Sequence, residues 1–241
     1  MKAIRITKYK SMQHKGGNYY QEGNKLIQWY FYRRFDEALK LSSGVNNKMQ
    51  IVGDLGCGWG IFLPTLSKSF SSVFALDSGE HWGHGKNNNN SLKIAKELVN
   101  AELGDVENVH YINGGVQRLP FKDSVFDVLF VMSVLEHVSD TKKVIDELHR
   151  GLVKGGVLIV GAPNEVGMAD KVREFASLLL RTERAASHKG YDWRNTEKEL
   201  KKEFKMDKNI FVPFNLLRTL NPYVMVEFGM KVGHRDIQLC Y

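Results

Sequence analysis

The chain has 241 residues, 43% hydrophobic and 25% charged, enough for one α/β domain with insertions and too balanced for a low-complexity chain. No apolar run approaches a membrane span, and the opening Met1-Lys2-Ala3-Ile4-Arg5 lacks a signal-peptide hydrophobic region, so a cytoplasmic setting without a transmembrane segment is expected. Two cysteines, Cys57 and Cys240, supply no disulfide framework; 34 Lys+Arg against 27 Asp+Glu give +7, which admits an acidic partner or simply a basic soluble enzyme.

Residues 1–24 are basic and aromatic (Lys2, Arg5, Lys8, Tyr9, Lys10, Lys15, Tyr19, Tyr20), with a Gly16-Gly17 break. They read as an arm that closes over a functional site or as a frayed terminus. From Lys25 to Leu41 the residues Leu26, Trp29, Tyr30, Phe35, Ala38 and Leu39 recur at helical spacing, with Arg33-Arg34 as a solvated edge. Gln50-Ile51-Val52 starts a short apolar strand that runs into Gly53-Asp54-Leu55-Gly56-Cys57-Gly58-Trp59-Gly60, and Ile61–Ser69 follows as a helix. Strand, glycine-rich turn and helix in that order build a nucleotide site at the carboxyl end of the first strand of a doubly wound sheet. A tight turn of purely structural use is the competing reading.

The next strand, Ser72–Leu76, ends on Asp77, about 20 residues beyond the glycines, where a carboxylate can accept from both hydroxyls of a ribose. An acid that merely caps the following segment is the plainer alternative. Residues 78–90 read as a surface loop; His81 and His84 within it lack further ligands nearby, so no metal is expected. A helix over 91–103 and a strand over 109–112 lead to Gly114-Gly115-Val116-Gln117. The apolar run 125–135, broken only by Asp127, predicts a strand covered on both faces. Ser139 and Asp140 are the N-cap candidates for a helix over 141–152 that Lys154-Gly155-Gly156 ends, and 157–161 is the fifth strand. Beyond lie a helix over 166–184, the loop Ser187–Trp193, a charged helix over 196–204, and an antiparallel pair from 209–212 and 223–228. Phe211, Phe214, Leu216, Leu217 and Leu220 suit core packing, or contact with a lipid surface or an apolar substrate.

Val52-Gly53-Asp54-Leu55-Gly56-Cys57-Gly58-Trp59-Gly60 resembles the first motif of the class I S-adenosylmethionine-dependent methyltransferases, of the type 11-like group. The later blocks Leu119–Val128, Ser133–Val138 and Leu148–Val160 running into Ala162-Pro163-Asn164 match in order. The resemblance covers residues 48–164 and implies a doubly wound Rossmann-like seven-stranded sheet, mostly parallel with one antiparallel strand, helices on both faces. It implies S-adenosyl-L-methionine as cofactor, held by Asp54, Leu55, Gly56, Cys57, Gly58, Gly60, Asp77, Ser78, Val116, Gln117, Met132 and Ser133. At the segment where the family usually places an acid for the adenine amino group, this chain has Gly115; Gln117 or the backbone of Gly115 and Val116 is left to contact the base.

The division that follows is an N-terminal arm and helix over 1–47, the cofactor core over 48–164, a substrate-side insertion over 165–204, and C-terminal strands completing the sheet over 205–241. A sulfonium methyl is already electrophilic, so the protein chiefly aligns an acceptor and excludes water. Where the acceptor carries a proton, His137 is the first candidate base and His188 the second, with Tyr191 or Asp192 beside it. Glu136 and His137 acting only to orient the loop or contact cofactor is the competing reading. After the fourth strand the chain lacks the Asn-Pro-Pro-Tyr-like segment of amino-group base methylases, which points to a small-molecule or lipid-linked acceptor at oxygen. An RNA acceptor, suggested by the charge, and a non-catalytic cofactor-binding protein are the alternatives; heparin retention and a steep salt dependence would mark the first. A homodimer through the N-terminal helix or the insertion is open.

Overall fold

The alternation of apolar runs and amphipathic segments becomes, in a computed structural model, a single seven-stranded sheet covered by helices. The structure describes residues 2–9, 25–43, 50–79, 91–163, 191–212 and 223–230. The helix expected over 166–184, the His81/His84 loop and His188 lie outside them. The strands are β1 (Ile51–Leu55), β2 (Ser72–Asp77), β3 (Val109–Asn113), β4 (Phe126–Met132), β5 (Leu152–Pro163), β6 (Phe204–Val212) and β7 (Tyr223–Met230). Their spatial order is β3-β2-β1-β4-β5-β7-β6. β1 to β5 pair in parallel, and β7 is antiparallel to both β5 and β6.

The order reverses at β1, which pairs β2 on one side and β4 on the other (Val52 opposite both Val73 and Val128). Connections leave β1 and β4 in opposite directions there, so a crevice opens beyond their carboxyl ends. Helices α1 (Lys25–Ser42), α2 (Leu63–Ser69) and α3 (Ser91–Leu103) cover one face of the sheet; α4 (Thr141–Gly151) and α5 (Trp193–Glu203) cover the other. β4 shows why its sequence is apolar throughout. Val128 and Phe130 enter the first core, Phe126, Leu129 and Val131 the second, and all five are fully buried. Asp127, the one polar interruption, accepts the Ile51 N–H at 2.8 Å and so supplies the partner for the first amide of β1.

Three boundaries differ from expectation. The run 125–135 stops being a strand at Met132, because Ser133 turns into left-handed backbone (φ 60) and Leu135–His137 form one 3-10 turn. α4 ends at Gly151, and Lys154-Gly155-Gly156 lie inside β5, where the register with β4 shifts between Phe126 and Val128. Of the two cap candidates Asp140 is the one used: its side chain accepts the Lys143 N–H at 3.0 Å.

Residues 2–9 are tied down rather than frayed; residues 10–24 of the expected arm lie outside the described residues. Glu102, 8% exposed near the end of α3, accepts the backbone N–H groups of Thr7, Lys8 and Tyr9 at 2.8, 2.6 and 3.1 Å on one carboxylate oxygen. Asp36 and the Tyr32 hydroxyl accept the amides of Ala3 and Ile6, so the strap ties α1 to α3 across the first core. Arg34, expected at a solvated edge, instead lays its guanidinium 4.6 Å from the Phe31 ring centroid and 4.8 Å from that of Tyr223 on β7. Among the described residues no helix is long and apolar enough to cross a membrane.

Candidate active site

The glycine loop leaves β1 and folds back against the end of β2. Gly56 and Cys57 both donate their N–H to the Leu76 carbonyl, at 2.7 and 3.1 Å. The Gly58 N–H donates to Asp77 Oδ2 at 2.8 Å. Gly60 closes the loop with an N–H to the Cys57 carbonyl at 2.9 Å and presses on α3, where a Cβ would stand 2.7 Å from that of Ala95. The loop is therefore clamped on three sides. At Gly58 a Cβ would meet nothing within 4 Å, so this is the side on which the backbone can approach a ligand.

Asp77 is fixed by the same network. Its Oδ1 accepts from Gly79 N–H and from the hydroxyl of Ser91, the first residue of α3, each at 2.8 Å. Three donors set the carboxylate plane and still leave lone pairs for paired hydroxyls of a ligand. Ser91 was not singled out from sequence; a hydroxyl at the first position of a helix after an irregular loop is the signal that marks it. Ser78 is exposed beside Asp77.

Asp54, at 3% exposure, carries the decisive electrostatics. Burial, and next to it the negative charge of Asp77, push its carboxyl from 3.8 up to about 7. The same two carboxylates, after burial, raise the Cys57 thiol well above its usual range, so Cys57 is a neutral, packed group rather than a nucleophile. Leu55 is fully buried in the second core and can offer a ligand only its backbone.

Across the crevice stands the turn after β4. Val134 packs on Gly56, where a Cβ would fall 2.5 Å from Val134 Cγ2. The Ser133 N–H donates to the Gly161 carbonyl at 2.7 Å, while its hydroxyl lies 3.1 Å from Tyr223 Oη. Met132 and Ser133 are half-buried, as is His137 at the end of the 3-10 turn, whose N–H donates to the Val134 carbonyl. Glu136 lies close enough to the Tyr223 and Tyr191 phenols to raise both, though burial is the larger cause in each. Tyr191 Oη is buried without a hydrogen-bond partner among the described residues; Thr196 is near it but outside bonding geometry.

On the third side, Val116 packs against the second core, and the Gln117 amide donates to the Ser139 hydroxyl at 3.3 Å, bridging the loops after β3 and β4. A Cβ at Gly115 would meet nothing within 4 Å. Among the described residues no three His, Cys, Asp or Glu side chains gather into a metal-holding group.

This donor set discriminates between ligands. Two carboxylates at the glycine loop, with no lysine between Asp54 and Gly60, repel a pyrophosphate. A cationic amino-acid end beside Asp54 and a ribose beside Asp77 would satisfy both groups. The family described as "Methyltransferase domain" matches residues 53–160. Over that segment the chain is similar to the class I S-adenosylmethionine-dependent methyltransferases. It is 30% identical over 159 residues to the ubiquinone/menaquinone biosynthesis C-methyltransferase UbiE of Vibrio parahaemolyticus, covering 66% of this chain and 58% of that protein. The chain thus matches little more than half the length of that curated relative. Among solved structures, the PH0226 protein of Pyrococcus horikoshii superposes with a TM-score of 0.63 at 18% identity, covering 92% of this chain and all of that one. The N-methyltransferase NodS of Bradyrhizobium japonicum in complex with S-adenosyl-L-homocysteine superposes with a TM-score of 0.58 at 14% identity, covering 87% and 89%. At such identities these two structures speak for the fold.

The open space at Gly115 yields one prediction. Gly115→Asp introduces a carboxylate where the family usually carries one, with no clash at its Cβ. Calorimetry is expected to show S-adenosylhomocysteine bound roughly three- to tenfold more tightly, the worth of one added hydrogen bond, with an unchanged melting temperature. Unchanged or weaker affinity would mean that the base lies elsewhere.

Proposed function

We propose that the chain transfers a methyl group from S-adenosylmethionine to a small-molecule or lipid-linked acceptor bearing a hydroxyl, at oxygen. The observation that carries this is the pairing of a buried, charge-starved Asp54 with an Asp77 held by Gly58, Gly79 and Ser91 at the switch point of the sheet. Bound there, S-adenosylmethionine supplies an electrophilic methyl carbon on a sulfonium leaving group. Asp54 would hold its ammonium, Asp77 its ribose hydroxyls, and the Met132-Ser133 backbone the amino-acid end, while Val116 and Gln117 flank the base. Residues 48–164 serve as the cofactor core and 165–204 as the acceptor side.

The acceptor proton goes to His137 in this reading, from its place after β4, with His188 as second candidate. Methylation at a ring carbon is the second reading, favoured by the relative named as a C-methyltransferase. The two share a first requirement. Loss of a phenolic or enolic proton makes nucleophilic both the oxygen and the ortho and para ring carbons (the α-carbon of an enolate), so one base beside the β4 turn serves the first step of either outcome. Methylation at a ring CH then also releases that carbon's proton to restore the ring.

The test of the cofactor half is calorimetric titration with S-adenosylhomocysteine of the wild type and Asp77→Ala. Micromolar binding that the substitution weakens tenfold or more, about 1.4 kcal/mol, is the expected result. No binding by the wild type would sink the proposal. Incubation with methyl-labelled S-adenosylmethionine and phenolic acceptors, followed by product mass analysis, separates O- from C-methylation.

A further inference from the structure

Ser133 adopts φ 60, a region that L side chains enter rarely and hold only where the surroundings over-determine it. The other described non-glycine residue with positive φ, Ser124, is exposed in the turn before β4. Ser133 differs in being tied from both ends. Its N–H donates to the Gly161 carbonyl at 2.7 Å, and its hydroxyl meets Tyr223 Oη at 3.1 Å.

Tyr223 opens β7 opposite Pro163 of β5 and is 2% exposed. Its phenol reaches Ser133 by passing over Gly161, where any Cβ would collide with Tyr223 Oη and stand 3.0 Å from Met132 Cε. The Arg34 guanidinium lies against the ring, 4.8 Å from its centroid. Gly161 makes the clearance, Arg34 backs the ring, and Tyr223 delivers one hydroxyl to one strained residue. Both Tyr223 and Arg34 lie outside the segment 53–160 that matches the methyltransferase domain.

We propose that Tyr223 is a positioning residue that locks Ser133 in its left-handed turn, so that the Met132-Ser133 backbone is presented to the amino-acid end of the cofactor. This rests on the reading that the turn after β4 faces that end. The phenol does not touch the reacting atoms; it acts through Ser133, and β7 thereby shapes a site whose other cofactor-holding groups come from β1 to β4 and the loops after them.

Tyr223→Phe removes only Oη, keeping the ring over Gly161 and under Arg34. Its expected effect is a melting temperature within a few degrees of wild type and an affinity for S-adenosylhomocysteine weakened about fivefold, the worth of one net hydrogen bond. Ser133→Gly supplies the discriminating background, since glycine takes φ 60 without help. There Tyr223→Phe is expected to change affinity by less than twofold. A tyrosine that merely fills the core would weaken binding equally in both backgrounds, and that result overturns the lock. So does wild-type affinity in Tyr223→Phe itself. Should the wild type fail to bind S-adenosylhomocysteine at all, the cofactor reading falls and the lock with it; if the wild type binds and Asp77→Ala weakens it while Tyr223→Phe does not, the lock alone is refuted.

Discussion

Asp54→Asn is expected to weaken S-adenosylhomocysteine binding by at least about thirtyfold, the lower bound of roughly 2 kcal/mol for removing one partner of a buried charge pair. The same substitution should flatten the pH dependence of the ligand-free protein. Asp54 has a folded-state pKa of about 7 against 3.8 for the exposed side chain. Its contribution is therefore fully present below pH 3.8 and is lost as pH rises through 7, because the fold prefers the protonated carboxyl. Across that window the loss is on the order of 4 kcal/mol. The ligand reverses the sign, since its ammonium prefers the ionised carboxylate. Wild-type affinity should then fall as pH drops from 8 to 6, approaching tenfold per unit below 7. Urea melts at pH 5 and 8, with titrations at pH 6, 7 and 8, measure both slopes. A flat wild-type affinity profile, or an Asn variant that binds like wild type, would remove Asp54 from the ammonium site.

The parts of this site that are local in sequence were legible there. Gly56, Gly58 and Gly60 follow a strand directly, and Asp77 ends the next strand, so spacing alone brings them to one edge of the sheet. A seven-stranded, mostly parallel sheet with one antiparallel strand followed from the resemblance carried by four ordered blocks. What escaped is what depends on distant partners. Ser91 reaches Asp77 across 14 residues, and Tyr223 reaches Ser133 across 90. Hydrophobic pattern carried the fourth strand through to Leu135, because Val134 and Leu135 are indeed buried. It had no means of registering that Ser133 turns the backbone between them and Met132. Arg34 looked like a surface charge for the same reason: the rings beneath it belong partly to β7, almost 200 residues on. Glu102 gave no sign of gathering three amides from the N-terminal strap, since neither side has a periodic signature.

Gly56→Ala should be strongly destabilising, and Gly58→Ala should be its functional counterpart. At Gly56 the backbone holds φ 76, and an added Cβ would stand 2.5 Å from Val134 Cγ2. Strain and overpacking each cost about 1–3 kcal/mol, so a loss of roughly 2–6 kcal/mol is expected in chemical denaturation. The contact can be tested by a cycle. Val134→Ala by itself should destabilise, since Val134 packs in the second core, but the double variant should be more stable than the sum of the singles by about 1 kcal/mol or more. Strict additivity would mean that Val134 moves aside at no cost. Gly58 holds φ 54 with nothing within 4 Å of an added Cβ. Its substitution should cost only the strain, about 1 kcal/mol, while placing a methyl group on the face left open to a ligand. Affinity for S-adenosylhomocysteine should therefore fall much further than stability at Gly58, whereas at Gly56 stability should fall first and carry affinity down with it. The opposite ranking would turn the loop around, with Gly56 toward the ligand and Gly58 toward solvent.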